Sequence, residues 1–146
     1  MHPQIESFIS CKRIAVVGFS RSGKKFGNIA GKELIKRGYE IYPVHPNAVE
    51  IEGITCYPDF KSLDGKAEAL LISIPSAKVP PVLEEAAQTG LKNIWLQQGS
   101  WSKEVQQTVD RLGLPVVSKK CILMYAPPVT SVHKFHRTIV SIFGRL

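Results

Sequence analysis

Cysteine is scarce in this chain, and its spacing points to no cross-link. Cys11, Cys56 and Cys121 are odd in number and widely separated, and no C-x-x-C pair occurs. Neither a disulfide framework nor a zinc site is therefore indicated. The chain also has no apolar run long enough to cross a bilayer, and its first residues lack the basic and apolar segments of a secretion signal. We expect a cytoplasmic protein that enters no membrane.

Recognisable catalytic motifs are also missing. There is no G-x-S-x-G nucleophile elbow, and no histidine, aspartate or glutamate group has the spacing of a metal site. His2 is terminal, and His133 and His136 fall on the polar side of an apolar stripe without a carboxylate nearby in sequence. Ser73 and Ser76 have no identifiable base. These absences favour binding without catalysis, so we expect that the protein is not an enzyme by itself.

Acidic residues stop at Asp110, and the whole chain has a formal net charge of +7. A basic balance indicates an anionic partner, which by charge alone includes nucleic acid, an anionic membrane and a phosphorylated small molecule. The basic C-terminal third has little aromatic interleaving and no nucleic-acid recognition motif. We therefore expect a small-molecule ligand, and neither nucleic acid nor a membrane.

Short apolar runs alternate with amphipathic segments along most of the chain. The predicted strands are 14–17, 39–44, 69–74, 93–96 and 114–117, with a short extended piece at 54–58, and the predicted helices are 28–37, 79–87 and 103–112. Helical connections between short strands impose parallel pairing. We predict one domain over residues 1–146, of α/β class: a Rossmann-like, doubly wound, mainly parallel five-stranded sheet in three layers.

The C-terminal residues carry an apolar stripe at helical spacing. Its members are Val132, Phe135, Ile139, Ile142 and Phe143. This spacing predicts an amphipathic helix at about 131–143. Two alternatives remain open for its apolar face: packing on the sheet of the same chain, or an interface with a partner such as a second copy.

The stretch from Arg13 to Asn28 is the most informative part of the sequence. A buried-strand run leads into a turn rich in glycine and lysine, and a predicted helix follows. Glycine lets the backbone approach a ligand closely, and the start of a helix presents unpaired N–H groups to an anion. Lys24 and Lys25 add positive charge. This combination predicts a phosphate-binding turn.

Three phosphate ligands compete for that turn. Residues 18–24 match G-x-x-x-x-G-K of a triphosphate loop, but Lys25 stands where a hydroxyl would hold magnesium. A nicotinamide dinucleotide site normally has a second glycine where this chain has Ser20, and a carboxylate after the second strand, where His45 follows Val44. NAD is thus disfavoured, whereas NADP, with its phosphorylated ribose, remains an alternative.

The third ligand is coenzyme A, and several motifs in order point to it. They are Gly18-Phe19-Ser20, the run 38–46, Ile74-Pro75-Ser76, and the run 94–99 that ends in Gln97-Gln98-Gly99. Together, over about residues 11–124, they resemble the stand-alone CoA-binding domain proteins. That family is similar to the N-terminal CoA-binding domain of the succinyl-CoA synthetase alpha subunit.

The resemblance implies a Rossmann-like fold that holds CoA or an acyl-CoA. It places the diphosphate at Gly18, Phe19 and Ser20, the adenosine by Val44, His45 and Pro46, and the pantetheine path along Ile74, Pro75 and Ser76. The remaining predicted contacts are Arg21, Lys24, Lys25 and Asn28 from the first loop and Gln97 and Gly99 after the fourth strand.

The chain departs from the family pattern in two places. The first loop is commonly proline-rich after its serine, whereas here Arg21 begins a basic run, and His45 stands where asparagine is more usual. The synthetases transfer phosphate through a histidine of a second domain, for which this chain is too short, so a separate catalytic partner stays open. Cys121 follows two lysines, which leaves two interpretations: a thiol able to form a mixed disulfide with CoA, or an inert core cysteine.

Overall fold

The structure, a computed structural model, describes residues 3–128. Its strands are β1 (Arg13–Val17), β2 (Glu40–Val44), β3 (Glu50–Ile51), β4 (Ile54–Thr55), β5 (Ala69–Ile72), β6 (Asn93–Leu96) and β7 (Val116–Ser118). Its helices are α1 (Pro3–Ile9), α2 (Phe26–Lys36), α3 (Val79–Gln88) and α4 (Lys103–Leu112), with short 3₁₀ turns at 61–63, 76–78 and 122–124.

Five of the strands form one parallel sheet in the order β2-β1-β5-β6-β7, and β3 and β4 form a separate hairpin. The register aligns the last residues of all five strands in one row: Val44, Val17, Ile72, Leu96 and Ser118. Because the strands are parallel, the loops that follow them leave from one edge, which we call the carboxyl edge.

Helices cover both faces of the sheet. On one face, α1 and α2 pack on a core that includes Phe8, Leu34 and Trp95, and on the other α3 and α4 pack on a core that includes Leu70 and Leu83. Every residue of β5 is buried, as expected for a central parallel strand covered on both sides. The predicted three-layer, doubly wound α/β fold is confirmed.

Most element positions agree with the sequence prediction, and the differences have local causes. Helix α4 has its predicted bounds, and the Ser102 hydroxyl accepts the N–H of Val105 at 3.2 Å. Strand β5 ends at Ile72 instead of residue 74, because the backbone of Ile74 bonds to Ser100. Strand β7 starts at Val116 because Leu114 still bonds back to α4 through the carbonyl of Val109.

Three further points concern the helices. Helix α1 was missed, since its seven residues carry only two buried apolar side chains, Ile5 and Phe8, too few for a helical pattern. The predicted helix at about 131–143 lies outside the described residues. Helix α2 begins at Phe26, two residues before its predicted start.

Strands β1 and β5 approach each other closely where they leave the sheet. Gly18 has φ +142°, and a Cβ at this position would overlap the carbonyl oxygen of Ser73. A Cβ at Gly27 would likewise overlap the carbonyl oxygen of Gly18. The turn after β1 therefore fits between β5 and the start of α2 only because both residues are glycine.

Replacing Gly18 by alanine tests this packing. We expect Gly18→Ala to lower the free energy of unfolding by about 3 kcal/mol, because both the φ angle and the Ser73 carbonyl oppose a side chain. Urea unfolding followed by circular dichroism measures the change. Gly113→Ala is the matched control, since Gly113 has φ +66° but no neighbour near its missing Cβ, and it should cost only about 1 kcal/mol. Equal losses in the two variants would contradict the close-approach explanation.

Tyr39 anchors the end of the described chain. Its side chain is buried, and its hydroxyl donates to the carbonyl oxygen of Pro127 at 3.0 Å. Arg37 donates to the carbonyl oxygens of Leu123 and Ala126 at 2.9 and 2.8 Å. Burial raises the pKa of the Tyr39 hydroxyl from 10.0 to about 12. The phenol thus stays protonated in the folded state at pH values where it ionises in the unfolded chain.

This pKa difference predicts a loss of stability at high pH. Between about pH 10 and 12 the unfolded state releases the phenolic proton while the folded state keeps it, so the free energy of unfolding falls as the pH rises. Tyr39→Phe should be less stable at pH 7 by about 1 kcal/mol, the value of one hydrogen bond, and should lose less between pH 10 and 12 than the wild type. Urea unfolding across this range measures both slopes, and parallel slopes would refute the assignment.

Candidate functional site

At one point of the carboxyl edge, the order in which the chain adds strands to the sheet reverses direction. From β1 it crosses to β2 on one side, and the next sheet strand, β5, lies on the other side of β1. In doubly wound sheets, ligands bind in the crevice at such a point, outside the carboxyl ends of the strands. Here the crevice lies outside the carboxyl ends of β1 and β5, beyond the close contact of Gly18 with Ser73.

The turn after β1 is fixed by a buried amide. Asn28, on α2, is fully buried, and its Oδ1 accepts the Ser20 N–H at 2.9 Å while its Nδ2 donates to the Ser20 carbonyl oxygen at 2.9 Å. The Gly23 N–H also donates to that carbonyl oxygen, at 3.0 Å. Asn28 was predicted as a ligand contact, and the structure shows its amide bonded to the loop backbone instead of exposed at the edge.

The start of α2 keeps free donors. Its N-cap residue, Lys25, is extended and supplies no side-chain cap, in contrast to Ser102 on α4. Within residues 3–128, the N–H groups of Phe26 and Gly27 have no acceptor. The first turn of α2 is therefore ready to receive an anion.

Three cations surround that helix end. Arg21, Lys24 and Lys25 are exposed, and none forms an ion pair with a carboxylate of the described residues. Unpaired cations next to free N–H groups favour a ligand with more than one negative charge. The sequence placed these residues in one loop, and the structure keeps them together.

A carboxylate that the sequence analysis missed also reaches the loop. Glu52, at the tip of the β3–β4 hairpin, lies with Oε2 3.0 Å from Lys32 Nζ and Oε1 3.5 Å from Asn28 Nδ2. It also stands against Gly23, where a Cβ would lie 2.7 Å from Oε1. The Glu52-Gly53 turn was the available sign of a hairpin, but nothing in the spacing connects it to the first loop.

His45, after β2, supports its own loop. Its Nδ1 accepts the N–H groups of Asn47 at 3.1 Å and Ala48 at 3.0 Å, and its backbone N–H donates to the carbonyl oxygen of Tyr57 at 2.8 Å. An asparagine side-chain oxygen can accept from the same two residues, which explains how histidine substitutes for it here. With Nδ1 accepting, Nε2 carries the ring proton. Of its two neighbours in the chain, Val44 is half-buried and Pro46 is exposed.

A second buried clamp holds the loop after β5. The Ser100 hydroxyl accepts the Ile74 N–H at 3.1 Å and donates to the Ile74 carbonyl oxygen at 2.6 Å, and only 1% of Ser100 is exposed. Pro75 and Ser76 follow at the surface, where Ser76 begins a 3₁₀ turn before α3. Ser100 was not predicted, since a lone serine after a strand has no distinguishing pattern in the sequence.

The two predicted contacts after β6 lie differently. Gln97 is buried, and its Oε1 accepts the Ile122 N–H at 3.0 Å, so its side chain is bonded to the protein backbone. Gly99 is exposed with φ +91°, and nothing lies near its missing Cβ. Gln97 thus holds the 122–124 turn in place, and Gly99 is open at the surface.

A cavity of about 260 Å³ joins the first loop to the loops after β5 and β6. Its lining residues are Lys25, Phe26, Ser73, Ile74, Pro75, Gln98, Gly99 and Ser100. A larger cavity, of about 340 Å³, lies at the amino ends of β5 and β6, away from the first loop. The smaller one is the candidate site, because free donors and unpaired cations border it.

The described residues hold no group of histidine, cysteine or carboxylate side chains that could bind a metal. Cys11 and Cys56 are buried, and burial raises the pKa of each thiol, which disfavours the reactive thiolate. Cys121 is half-buried at the carboxyl edge after β7. No helix within residues 3–128 has the length and apolar character needed to span a membrane.

The fold and this edge together define a Rossmann-like domain of the nucleotide-binding type. The family model described as "CoA binding domain" matches residues 12–127, and the chain belongs to that family. The predicted family membership is confirmed. The chain is also homologous to the CoA-binding N-terminal region of ADP-forming acetate–CoA ligases.

Curated relatives include both a short protein and a long one. An uncharacterized protein of Bacillus subtilis, YneT, is 33% identical over 76% of this chain and 82% of its own length. The ADP-forming acetate–CoA ligase II of Archaeoglobus fulgidus is 29% identical over 97% of this chain. The chain spans only 22% of that ligase's length.

Solved structures show the same two kinds of relative. A conserved hypothetical protein of Pyrococcus furiosus is 34% identical, with a TM-score of 0.72, over 77% of this chain and 97% of its own. A dinucleotide-forming acetyl-coenzyme A synthetase of Ca. Korarchaeum cryptofilum is 30% identical, with a TM-score of 0.60, over 72% of this chain and 25% of its own. The domain thus occurs both in proteins of similar length and within larger synthetases.

The Asn28 clamp gives a direct test of how the first loop is held. We expect Asn28→Ala to reduce the free energy of unfolding by about 2 to 3 kcal/mol, because two hydrogen bonds are lost and the N–H of the half-buried Ser20 is left without its partner. Chemical denaturation measures the loss. Asn47→Ala, at an exposed position, should change stability by less than about 0.5 kcal/mol. A loss at Asn28 no larger than at Asn47 would show that the clamp is dispensable.

Proposed function

We propose that this protein binds coenzyme A or an acyl-CoA through the glycine-rich turn after β1, and that it is not catalytic by itself. The observation that supports this most directly is the start of α2, where uncapped N–H groups and unpaired cations lie at the crevice between β1 and β5. Membership of the CoA-binding domain family makes CoA the leading nucleotide.

The diphosphate is proposed to lie on the first turn of α2. The free N–H groups of Phe26 and Gly27 would donate to its oxygens, and the helix dipole favours its negative charge. Gly18, Phe19 and Ser20 would form the wall of this position. Ser20 would contribute shape and not its backbone N–H, which Asn28 already occupies.

The adenosine end of CoA carries a phosphate on its ribose, which NAD lacks. We place it beside Val44, His45 and Pro46, with Arg21 and Lys24 near enough along the loop to meet the ribose phosphate. Residues 45–49, directly after β2, contain no carboxylate, and Glu52, which reaches the first loop, is paired with Lys32 at 3.0 Å. The Nε2–H of His45 is a donor that remains available there.

The pantetheine arm would leave the diphosphate along the cavity between Lys25 and Ser100. Ile74 and Pro75 give this cavity an apolar side, and Gln98 and Gly99 border it opposite. Such a lining suits a chain that alternates methylene and amide groups. The Ser100 clamp would keep the Ile74 backbone from moving into the path.

We propose that the protein has no catalytic activity by itself, because the domain makes up only a small share of the larger ligases in which it occurs. This chain matches only 22% of the length of the Archaeoglobus fulgidus ligase. If a partner protein supplied the catalytic part of such a ligase, this protein would present a bound CoA thioester to that partner.

The absence of catalysis can be tested by incubating the protein with acetyl-CoA, ADP and phosphate. The thioester should stay intact, as followed by its ultraviolet absorbance. Breakdown in proportion to the amount of protein would overturn this part of the proposal.

Isothermal titration calorimetry with CoA tests the proposed site. We expect saturable binding, and a weakening of about three- to tenfold in the double variant Lys24→Gln/Lys25→Gln, because each exposed cation contributes up to about 1 kcal/mol towards a phosphate. The matched control is Lys61→Gln/Lys92→Gln, which removes the same charge at positions away from the carboxyl edge. This control should bind CoA as the wild type does.

The same titration separates the competing ligands. NADP should bind at least tenfold more weakly than CoA, and NAD and ATP more weakly still. Tighter binding of NADP than of CoA would replace the proposed ligand by the alternative. Equal weakening in the two double variants would show that net charge, and not the first loop, determines affinity.

A further inference from the structure

A second cavity, of about 310 Å³, lies on the carboxyl edge beyond the first. Its lining residues are Gln98, Lys119, Lys120, Cys121, Met124 and Tyr125. Gln98 also lines the cavity next to the first loop, so the two adjoin. The proposed CoA site accounts for the first cavity only, and the second therefore needs an explanation of its own.

Buried side chains hold the backbone of the segment that lines this second cavity. Trp95 is fully buried, and its Nε1–H donates to the carbonyl oxygen of Lys120 at 2.9 Å. Gln97 accepts the N–H of Ile122 at 3.0 Å. Lys119 has φ +64°, a conformation that is uncommon for a residue with a side chain. The segment that carries the two lysines and Cys121 is thus held in a defined, partly strained shape.

The spacing of the strands places this cavity within reach of the thiol end of CoA. From the end of β1 to the end of β7 there are three strand spacings, which make about 14 Å in total. A pantetheine arm has about twelve chain atoms, as many as about four extended residues, and reaches ~13 Å. With the diphosphate at the start of α2, an extended arm would end close to the end of β7, and an acyl group on the thiol could extend to Lys119 and Lys120.

The charged residues that line the cavity are both basic. The lining contains two ammonium groups and no carboxylate, and neither lysine forms an ion pair with a described carboxylate. Lys119 Nζ lies 5.8 Å from the ring centroid of Trp101. Trp101 directly follows Ser100, which lines the first cavity. Met124 and Tyr125 supply apolar surface for methylene groups. The cavity volume is about ten times the ~30 Å³ share of a water molecule, enough for a short acyl chain.

We propose that the second cavity receives the acyl group of a CoA thioester that ends in a carboxylate, with Lys119 and Lys120 as its counter-charges. This inference rests on the proposed function, and adds to it the class of acyl group. A neutral acyl chain of equal length would give neither ammonium group a counter-charge and so would bind less tightly.

Paired acyl-CoA ligands test the inference by isothermal titration calorimetry. Succinyl-CoA and butyryl-CoA have acyl chains of equal carbon number and differ in the terminal carboxylate. We expect the wild type to bind succinyl-CoA about fivefold more tightly than butyryl-CoA, the effect of an ion pair at a largely exposed site. The ratio should fall towards one as salt is added.

The double variant Lys119→Gln/Lys120→Gln should bind the two ligands equally and should still bind free CoA within about threefold of the wild type. The control Lys61→Gln/Lys92→Gln has the same charge change elsewhere and should keep the fivefold ratio. A ratio near one in the wild type, or a ratio that survives in the Lys119/Lys120 variant, would overturn the inference while CoA binding stands. Failure of every CoA compound to bind would instead overturn the proposed function itself.

Discussion

The carbonyl oxygen of Ser73 leaves no room for a side chain on Gly18, and the geometry of the carboxyl edge depends on that contact. It brings the ends of β1 and β5 together, so the turn after β1 has to pass directly under the start of α2. Gly27 continues the same packing, because its missing Cβ is what lets the helix rest on the turn. The start of α2, with its free N–H groups, is therefore placed beside the crevice by backbone packing.

Two buried polar residues then hold the loops on either side of that contact. Asn28 binds both backbone groups of Ser20, and Ser100 binds both backbone groups of Ile74. Each clamp uses one side chain to satisfy a donor and an acceptor, which is an economical way to fix a loop that has left the sheet. Both loops are thus bonded to the protein through their own backbone, and a ligand bound there would not have to order them.

The sequence was sufficient for the fold because its signals are local and repeated. Apolar runs such as Ala69–Ile72 and Asn93–Leu96 are bounded by turn residues, and alternation with helices imposes parallel order. The contents of the first loop were also predictable, since Lys24 and Lys25 lie next to each other in the chain. What periodicity could not reveal was the use of each polar side chain, which depends on contacts between distant residues.

Gln97 shows this limit clearly. A polar residue after a strand has the same appearance in sequence whether it faces a ligand or a neighbouring backbone, and here it bonds to Ile122, 25 positions further along. Glu52 is the reverse case, a charged hairpin residue with no motif around it that the tertiary fold brings to Lys32 and Asn28. Only the packing of the hairpin against α2 assigns it a role.

The contrast between α4 and α2 has a consequence for the stability of the fold. Helix α4 carries its own cap in Ser102, whereas α2 begins without one. An anion that supplies the missing acceptors would stabilise the folded state in proportion to the logarithm of its concentration. The proportion of folded, protease-resistant protein would then rise with the concentration of that anion.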